Sequence, residues 1–297
     1  MITVKNLTKK FDNFVALQDI NCNIPEGSIY GLVGSNGAGK STFLRLITGV
    51  YSQDEGEILI DDMPVWNNPQ VKNLFMYVPD ELYFINGASM ERMGKLYSAC
   101  FKEFDFIKMR ELANKLNLNT RKNINTFSKG MKRQAAIILA LATNPKYIFF
   151  DETFDGLDPI VRNVIKKIIY NDIVERKATA IITSHSLREL EDTCDQLALL
   201  HKGGLVFERD ISDLKTSLLK VQIALSEEYT EEIFSDTDIV HINKKGSVSN
   251  MIIRGEKEEI IKKLEKLNPV ILEVIPLSLE EVFTYELSAL GYEFKDE

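Results

Sequence analysis

The sequence predicts an α/β fold whose main sheet is mostly parallel and covered by helices on both faces. Three observations lead to this prediction. Short, strongly apolar runs such as residues 29–33 and 147–150 have the length and the flanking residues of buried strands. Segments with apolar residues at helical spacing, such as residues 42–50, lie between such runs. After residue 210 the pattern is polar and has lost its period, which indicates that a second, smaller α+β domain follows.

The elements of the first domain, residues 1–210, follow from the same patterns. A glycine-rich loop separates the strand at 29–33 from the helix that comes next. The segment from about residue 86 to residue 140 carries mostly helical signals and is predicted to be an inserted helical subdomain. Further strands are predicted at 55–61, 74–79, 147–150 and 178–184, and a helix at 187–196.

The second domain is predicted to be an accessory α+β domain at residues 215–297, after a polar boundary at 209–216. Gly246 lies in the middle of a hairpin-like pattern, where a turn between two strands needs a glycine. Ser278 and Glu281 have the spacing of a capping box, in which each side chain binds the backbone of the other residue at a helix start. The other predicted elements are strands at 220–226 and 270–277 and helices at 256–267 and 278–290.

The composition is that of an ordinary globular protein. Hydrophobic residues make up 44% of the 297 residues, and the formal net charge of −8 disfavours nucleic acid as a partner. The longest apolar run, residues 135–142, is much shorter than the ~18 residues that a membrane span needs. The N-terminus lacks the apolar core of a signal peptide, so a cytoplasmic location is expected. Cys22, Cys100 and Cys194 are expected to be buried, reduced thiols.

The loop G-S-N-G-A-G-K-S-T at residues 34–42 has the pattern of a phosphate-binding loop. Its glycines allow backbone N–H groups to turn towards phosphate oxygens at the positive end of the next helix. In this pattern the lysine reaches the β- and γ-phosphates and the following hydroxyl binds Mg²⁺. A plain glycine turn with an exposed lysine is the alternative, which the position between a strand and a helix disfavours. The predicted nucleotide-binding residues are Gly34, Ser35, Asn36, Gly37, Ala38, Gly39, Lys40, Ser41 and Thr42.

Two adjacent acids, Asp151 and Glu152, end the apolar run at 147–150. In parallel α/β sheets, ligands bind beyond the carboxyl ends of the strands. Asp151 is therefore predicted to hold Mg²⁺ together with Ser41. Glu152, one residue later, is predicted to orient the water that attacks the γ-phosphate. The alternative is a core strand whose acidic end simply reaches solvent, and the presence of the glycine loop disfavours this interpretation.

Together these motifs resemble those of ABC-type ATPase subunits. F-S-K-G-M at 127–131, Y-I-F-F-D-E at 147–152, G-L-D at 156–158 and S-H at 184–185 have the order and spacing of that family, and the resemblance covers residues 1–210. The segment at 127–131 resembles the family signature, although Phe127, Lys129 and Met131 depart from its usual L-S-G-G-Q. S-K-G-M resembles the branch that exports drugs, peptides or polysaccharides and has separate membrane subunits.

The resemblance implies further site residues. Ser128 and Gly130 of the signature would contact the nucleotide bound to a second ATPase subunit, and Asp158 would cross the interface between the two. His185 would contact the γ-phosphate, which makes it a catalytic residue beside Lys40 and Glu152.

Two of the implied residues leave alternatives open. Phe11 matches the aromatic residue that stacks on adenine, although an aromatic residue at this place also suits core packing. Asp80 matches the residue that senses Mg²⁺ and signals to the membrane subunit; its side chain is shorter than the usual Gln or Glu, and Glu81 is the alternative.

The resemblance implies an ATPase that uses ATP and Mg²⁺ and drives a membrane permease on a separate chain. It implies a location on the inner face of the cell membrane and a head-to-tail pair with a second ATPase subunit, either an identical chain or a paralogue. The alternative function is a non-transport ABC ATPase in DNA repair, translation or cofactor assembly. The interval between Lys40 and Asp151 is too short for the coiled-coil insertion of DNA-repair relatives. No N-K-x-D motif for reading guanine is present, which disfavours a G protein.

Overall fold

The computed structural model describes residues 1–226 and 229–289, and the chain divides into two compact units, the first at Met1–Glu208 and the second starting at Arg209. Within the described residues, no helix combines the length and the apolar character that crossing a bilayer demands. Cys22 and Cys194 are buried as expected, whereas the expectation was wrong for Cys100, which is exposed near the end of a helix.

The first unit contains strands and helices along its whole length. Its strands are β1 (Ile2–Phe11), β2 (Phe14–Ile24), β3 (Ile29–Val33), β4 (Glu55–Ile60), β5 (Met63–Pro64), β6 (Phe75–Val78), β7 (Tyr147–Phe150), β8 (Thr179–Ser184), β9 (Gln196–His201) and β10 (Gly204–Asp210). Its helices are α1 (Lys40–Ile47), α2 (Pro69–Lys72), α3 (Met90–Cys100), α4 (Phe106–Lys115), α5 (Lys129–Ala142), α6 (Pro159–Arg176) and α7 (Leu187–Leu190).

The main sheet has six strands in the order β10-β9-β3-β8-β7-β6. The pairs β6–β7, β7–β8, β8–β3 and β3–β9 are parallel, which confirms the predicted mostly parallel sheet. Every residue of β3, β7 and β8 is buried. Strands buried on both faces are apolar throughout rather than alternating, which explains the short apolar runs of the sequence. The carboxyl ends of β3, β7 and β8 meet at one edge, where the glycine loop begins.

A second sheet, with the order β2-β1-β4-β5, is antiparallel. The strand predicted at 55–61 belongs to this sheet, because β4 pairs along β1 with Ile60 opposite Ile2 and Ile58 opposite Val4. The apolar side chains of β1, β2 and β4 pack with those of α1 and the main sheet in one core. The sequence analysis predicted no strand at the positions of β1 and β2, so it did not separate this sheet from the main one.

The helices predicted for the segment at about 86–140 are present as α3, α4 and α5. Helix α5 is buried from Arg133 onwards except at Ala136, so most of the apolar run at 135–142 is buried. One predicted helix is mostly wrong: α7 stops at Leu190, and turns lead from it to β9. Leu190 and Cys194 are buried in this segment, so packing against the sheet replaces the predicted helical turns.

The second unit forms its own small α+β fold. Its elements are α8 (Ile211–Ser217), β11 (Leu218–Ala224), a 3₁₀ turn (Glu231–Phe234), β12 (Asp238–Lys245), β13 (Val248–Arg254), α9 (Lys257–Glu265), β14 (Ile271–Ile275) and α10 (Leu279–Ala289). The sheet has the order β12-β13-β11-β14 with antiparallel pairs throughout. One of its apolar clusters joins the sheet to α9, with Val221, Met251 and Ile260 among its buried members.

Two local predictions for this unit are confirmed, and a third segment differs from its predicted pattern. Gly246 lies in the turn of the β12–β13 hairpin with a φ of 63°, a conformation that favours glycine. The Ser278 amide donates to Glu281 at 2.9 Å and the Glu281 amide donates to the Ser278 hydroxyl at 3.2 Å, which is the predicted capping box. Residue 290, the predicted last residue of that helix, lies outside the described residues. The segment at 209–216, predicted as a polar boundary, starts where the second unit starts, but it contains α8, because Ile211 and Leu214 are buried at helical spacing.

Candidate functional site

The glycine loop connects β3 to α1 and requires glycine at two positions. A Cβ on Gly34 would lie 2.4 Å from the carbonyl oxygen of Leu200, and one on Gly39 would lie 2.9 Å from that of Ala16. Gly39 also has a φ of 109°, which strains any other residue. At Gly37, with a φ of 81°, the direction of a Cβ is open. The loop is thus pressed against neighbouring backbone on one side and accessible on the other.

Lys40 begins α1, and its side chain is buried within the loop. Its ammonium donates to the carbonyl oxygens of Gly34 at 2.6 Å and Ser35 at 3.1 Å. It also forms an ion pair with Glu152, with 3.0 Å between Nζ and Oε1. The positive charge is therefore held at the mouth of the loop, where incoming phosphate oxygens compete with Glu152 for it.

Asp151 follows β7 and is the most connected acid of the site. Its Oδ1 accepts hydrogen bonds from Ser41 at 3.0 Å and from Thr183 at 2.9 Å, and its Oδ2 accepts one from Tyr77 at 3.0 Å. Burial, together with the charge of Asp151, raises the pKa of Tyr77 well above its ordinary value, so the phenol stays a donor. Hydroxyl and carboxylate oxygens are the hard donors that Mg²⁺ prefers, so Ser41 and Asp151 fit that ion.

Glu152 is strained and held from two sides. Its φ of 47° lies in the left-handed region, and its amide donates to the Thr183 hydroxyl at 3.0 Å. The Oε2 oxygen lies 3.3 Å from Nδ1 of His185, which follows β8 at the neighbouring strand end. Strain of this kind concentrates at functional sites, because the surroundings must hold it in place. The left-handed backbone conformation of Glu152 therefore directs its side chain away from Asp151 and towards Lys40 and His185.

Asp155 joins this group, although it was not among the predicted site residues. Its Oδ1 lies 3.8 Å from Nδ1 of His185. Burial raises the pKa of the Asp155 carboxyl, and the charge of Glu152 raises it further. One carboxylate oxygen of Asp155, one of Glu152 and one ring nitrogen of His185 lie within 4.8 Å of one another. Asp155 was visible in the sequence as a third acid after the strand, and only its contact with His185 gives it a place in the site.

A cavity of about 380 Å³ opens beside the glycine loop. It is lined by Phe14, Ala16, Asn36, Gly37, Gly39, Lys40, Ser41, Thr42, Asp80 and Glu152. Six residues of the predicted loop thus share one cavity with Glu152 and Asp80. The residues predicted for phosphate, metal or water that are not among the lining residues are Gly34, Ser35, Ala38, Asp151 and His185. Glu81, the alternative to Asp80, is exposed and is not among the lining residues.

The two aromatic residues at the β1–β2 turn have different surroundings. The ring of Phe11 packs edge-on against Tyr51 with centroids 5.4 Å apart, and the Lys9 ammonium lies 5.3 Å from its centroid. Phe14 is 64% exposed and lines the cavity, whereas Phe11 is not among the lining residues. Phe14 was not considered from the sequence, because its position in the turn became apparent only with the hairpin.

The signature segment begins α5. Ser128 is the N-cap of this helix, and its hydroxyl accepts a hydrogen bond from the Met131 amide at 3.2 Å. Gly130 lies against the G-L-D segment, since a Cβ there would be 3.0 Å from the carbonyl oxygen of Gly156. Asp158 caps α6 through a hydrogen bond from the Val161 amide at 3.0 Å. Ser128, Gly130 and Asp158 therefore belong to one surface, and they are not among the residues that line the cavity.

Comparison with known proteins identifies the family. The model for ABC transporters matches residues 17–155. ABC transporter ATP-binding protein YtrB of Bacillus subtilis is 30% identical over 283 residues, which cover 95% of this chain and 97% of that protein. This chain belongs to the ABC transporter family. A lantibiotic transport ATP-binding protein, SrtF of Streptococcus pyogenes, is 29% identical over 212 residues, covering 71% of this chain and 91% of the relative. A solved ATP-binding subunit of an ABC transporter has a TM-score of 0.65 and 25% identity, with 72% of this chain and 92% of that chain covered.

Membership of this family shows the biochemical class of the chain. The chain is the ATP-binding subunit of an ABC transporter and an ATPase with the P-loop ABC ATPase fold. ATP-binding subunits of this family dimerise and work with separate membrane subunits. The predicted family and fold are confirmed by these comparisons.

Proposed function

We propose that this chain is the ATP-hydrolysing subunit of an exporter and that it works on the inner face of the cell membrane with a permease on a separate chain. The S-K-G-M signature supports an exporter, and so does the similarity to a lantibiotic transport ATP-binding protein. A peptide, drug or other amphipathic compound is the proposed cargo class. The second domain, residues 215–297, is proposed to be an accessory domain.

The observation that carries the proposal is that the nucleotide cavity is built from only half of the family motifs. Lys40, Ser41 and Glu152 line it, whereas Ser128 and Gly130 are not among the lining residues. We therefore propose that two subunits, either identical or paralogous, pair head to tail, so that the signature of one completes the cavity of the other. Asp158 lies beside the signature surface and is proposed to cross this interface.

In the proposed reaction, ATP phosphates displace Glu152 from Lys40. When bound, Mg²⁺ would be held by Ser41, Asp151 and, through water, Asp80, and it would neutralise charge on the phosphates. Glu152, released from the ion pair, accepts a proton from the attacking water. The water oxygen bonds to the γ-phosphorus while the bond to the bridging oxygen of ADP breaks. His185, anchored through Nδ1 by Glu152, presents its other nitrogen to the γ-phosphate.

We propose that the adenine lies against the β1–β2 turn. Phe11 remains the residue that the family resemblance assigns to this contact. Phe14 is expected to provide the larger contact, because its exposed ring lines the cavity while the ring of Phe11 is packed against Tyr51.

A mixing experiment tests the shared site. Lys40→Ala and Ser128→Arg should each abolish ATP-dependent dimerisation, because both sites of each homodimer are damaged. Mixed one to one, they form heterodimers in which one site carries both lesions and the other is intact. ATP-dependent dimerisation should therefore return on mixing, as measured by size-exclusion chromatography.

Ser89→Arg is the matched control, since Ser89 is also the N-cap of a helix and accepts a hydrogen bond from the Arg92 amide at 3.3 Å. This variant should dimerise with ATP as the unmodified chain does. If mixing the Lys40 and Ser128 variants restores nothing, Lys40 and Ser128 of the same chain serve one ATP, and the head-to-tail arrangement is wrong.

A further inference from the structure

Helix α5 carries a buried arginine that contacts the cavity wall. The Arg133 side chain is 2% exposed and lies two positions after Met131 of the signature segment. One of its guanidinium nitrogens donates to the carbonyl oxygen of Pro79 at 2.9 Å, and another donates to Oδ1 of Asp80 at 2.7 Å. The guanidinium thus holds both the backbone and the side chain of the segment that follows β6.

Asp80 is half-exposed, whereas its partner Arg133 is buried. Its side chain is 51% exposed and lines the nucleotide cavity, so the carboxylate has the cavity on one side and Arg133 on the other. A buried guanidinium needs a charged partner, because an uncompensated charge in the interior is strongly unfavourable. Any movement of Asp80 towards a ligand in the cavity must therefore either carry Arg133 and α5 along or leave a buried charge unpaired.

We propose that Arg133 is a positioning residue that ties Asp80 to the signature helix, so that occupancy of one chain's cavity sets the orientation of the signature that the chain offers to its partner. This inference rests on the shared site proposed above. Arg133 touches no nucleotide itself. It acts through Asp80 on one side and through the start of α5, where Ser128 lies, on the other. The coupling is reciprocal, because whatever shifts α5 also shifts Asp80.

A double-mutant cycle tests this coupling. Arg133→Gln, Asp80→Asn and the double variant are prepared in a Glu152→Gln background, where ATP should accumulate in the dimer. ATP-dependent dimerisation is measured by analytical ultracentrifugation, and thermal unfolding is measured without nucleotide. Each single variant should weaken dimerisation by about tenfold, and the double variant should be no weaker than the worse single variant, because both changes break the same link.

Arg176→Gln is the matched control. Arg176 also donates to a proline carbonyl oxygen, that of Pro145 at 2.8 Å, and to an aspartate, Asp172 at 2.7 Å. It lies at the end of α6 and does not line the cavity. Arg176→Gln should lower the midpoint of thermal unfolding, as Arg133→Gln does, yet change dimerisation by less than about twofold.

Two results would overturn the inference: equal dimerisation of the Arg133 and Arg176 variants, or additive effects of the Arg133 and Asp80 changes. If Arg133→Gln does not fold, Asp80→Asn breaks the same pair from its half-exposed side, and unchanged dimerisation of that variant is equally decisive. If the Glu152→Gln parent does not dimerise with ATP, the proposed shared site is wrong and this inference falls with it. If the parent dimerises and the variants match it, only the inference is wrong.

Discussion

Replacing Glu152 with glutamine should change ATP binding and ATP hydrolysis in opposite directions. In the structure the Glu152 carboxylate is paired with the Lys40 ammonium at 3.0 Å, and both side chains are largely buried. In the proposed reaction, ATP takes Lys40 from this pair. The glutamine keeps the shape of the side chain and an oxygen that accepts from Lys40, but it removes the negative charge and the base.

The expected size of the gain in affinity follows from this pair. Hydrogen bonds to charged groups contribute about 1.5–3 kcal/mol, and the lower end applies here because the amide oxygen still accepts a hydrogen bond from Lys40. Since about 1.4 kcal/mol is a factor of ten, Glu152→Gln should bind ATP roughly tenfold more tightly. Hydrolysis should fall by at least about 100-fold, the lower range for the loss of a general base.

Two measurements on the same preparation check these values. Equilibrium titration with ATP gives the affinity, and release of inorganic phosphate gives the turnover. Asp155→Asn is the matched control, because it removes one negative charge from the same loop and from the neighbourhood of His185, while the ion pair of Glu152 with Lys40 stays in place. This control should not bind ATP tenfold more tightly.

Two outcomes would refute the reasoning. Turnover of Glu152→Gln within a few-fold of the unmodified chain would remove Glu152 from its role as base. An ATP affinity that is unchanged, or that rises equally in Asp155→Asn, would mean that the ion pair with Lys40 does not oppose nucleotide binding.

Two further predictions concern adenine binding and acid stability. Phe14→Ala should weaken ATP binding by about tenfold, since stacking of a base on an aromatic ring contributes about 1–3 kcal/mol, whereas Phe11→Ala should have a smaller effect because Phe11 packs on Tyr51. ATP titration of both variants decides this, and the reverse order would assign the adenine to Phe11. Burial opposes ionisation of Asp61, but hydrogen bonds from Tyr147, Lys146 and the N-terminus lower the pKa of its carboxyl from 3.8 to about 2. Its charge therefore stabilises the fold above pH 3.8, and this contribution is lost as the pH falls towards 2. The unfolding midpoint of Asp61→Asn should lie below that of the unmodified chain at pH 7, and the difference should shrink between pH 4 and pH 2; a difference that does not vary with pH would contradict the assignment.

The sequence by itself determined those parts of this protein whose functional residues are close together in the chain. The loop at 34–42 needs glycines beside a lysine and a hydroxyl, and the strand at 147–150 needs acids at its end, so both were recognisable without coordinates. Their place at one edge of the main sheet followed from the parallel arrangement, because carboxyl ends of parallel strands share an edge. The capping box at Ser278 was predictable for the same reason, since its two residues are close in the chain.

Tertiary structure alone decided the contacts between residues that are distant in the chain. The residues that complete the site by such contacts are Tyr77 and Thr183 at Asp151, Asp155 at His185, Phe14 at the cavity, and Arg133 at Asp80. No local pattern shows which partner each of them contacts, because a tyrosine, a threonine or an arginine has the same neighbours in the chain whether it faces a site or the core. The short helix α7 and the helix α8 also depended on packing, which outweighs the weak helical preferences of short segments. The sequence shows which chemical group each side chain carries, whereas the partners of that side chain are determined only when the sheet brings distant segments together.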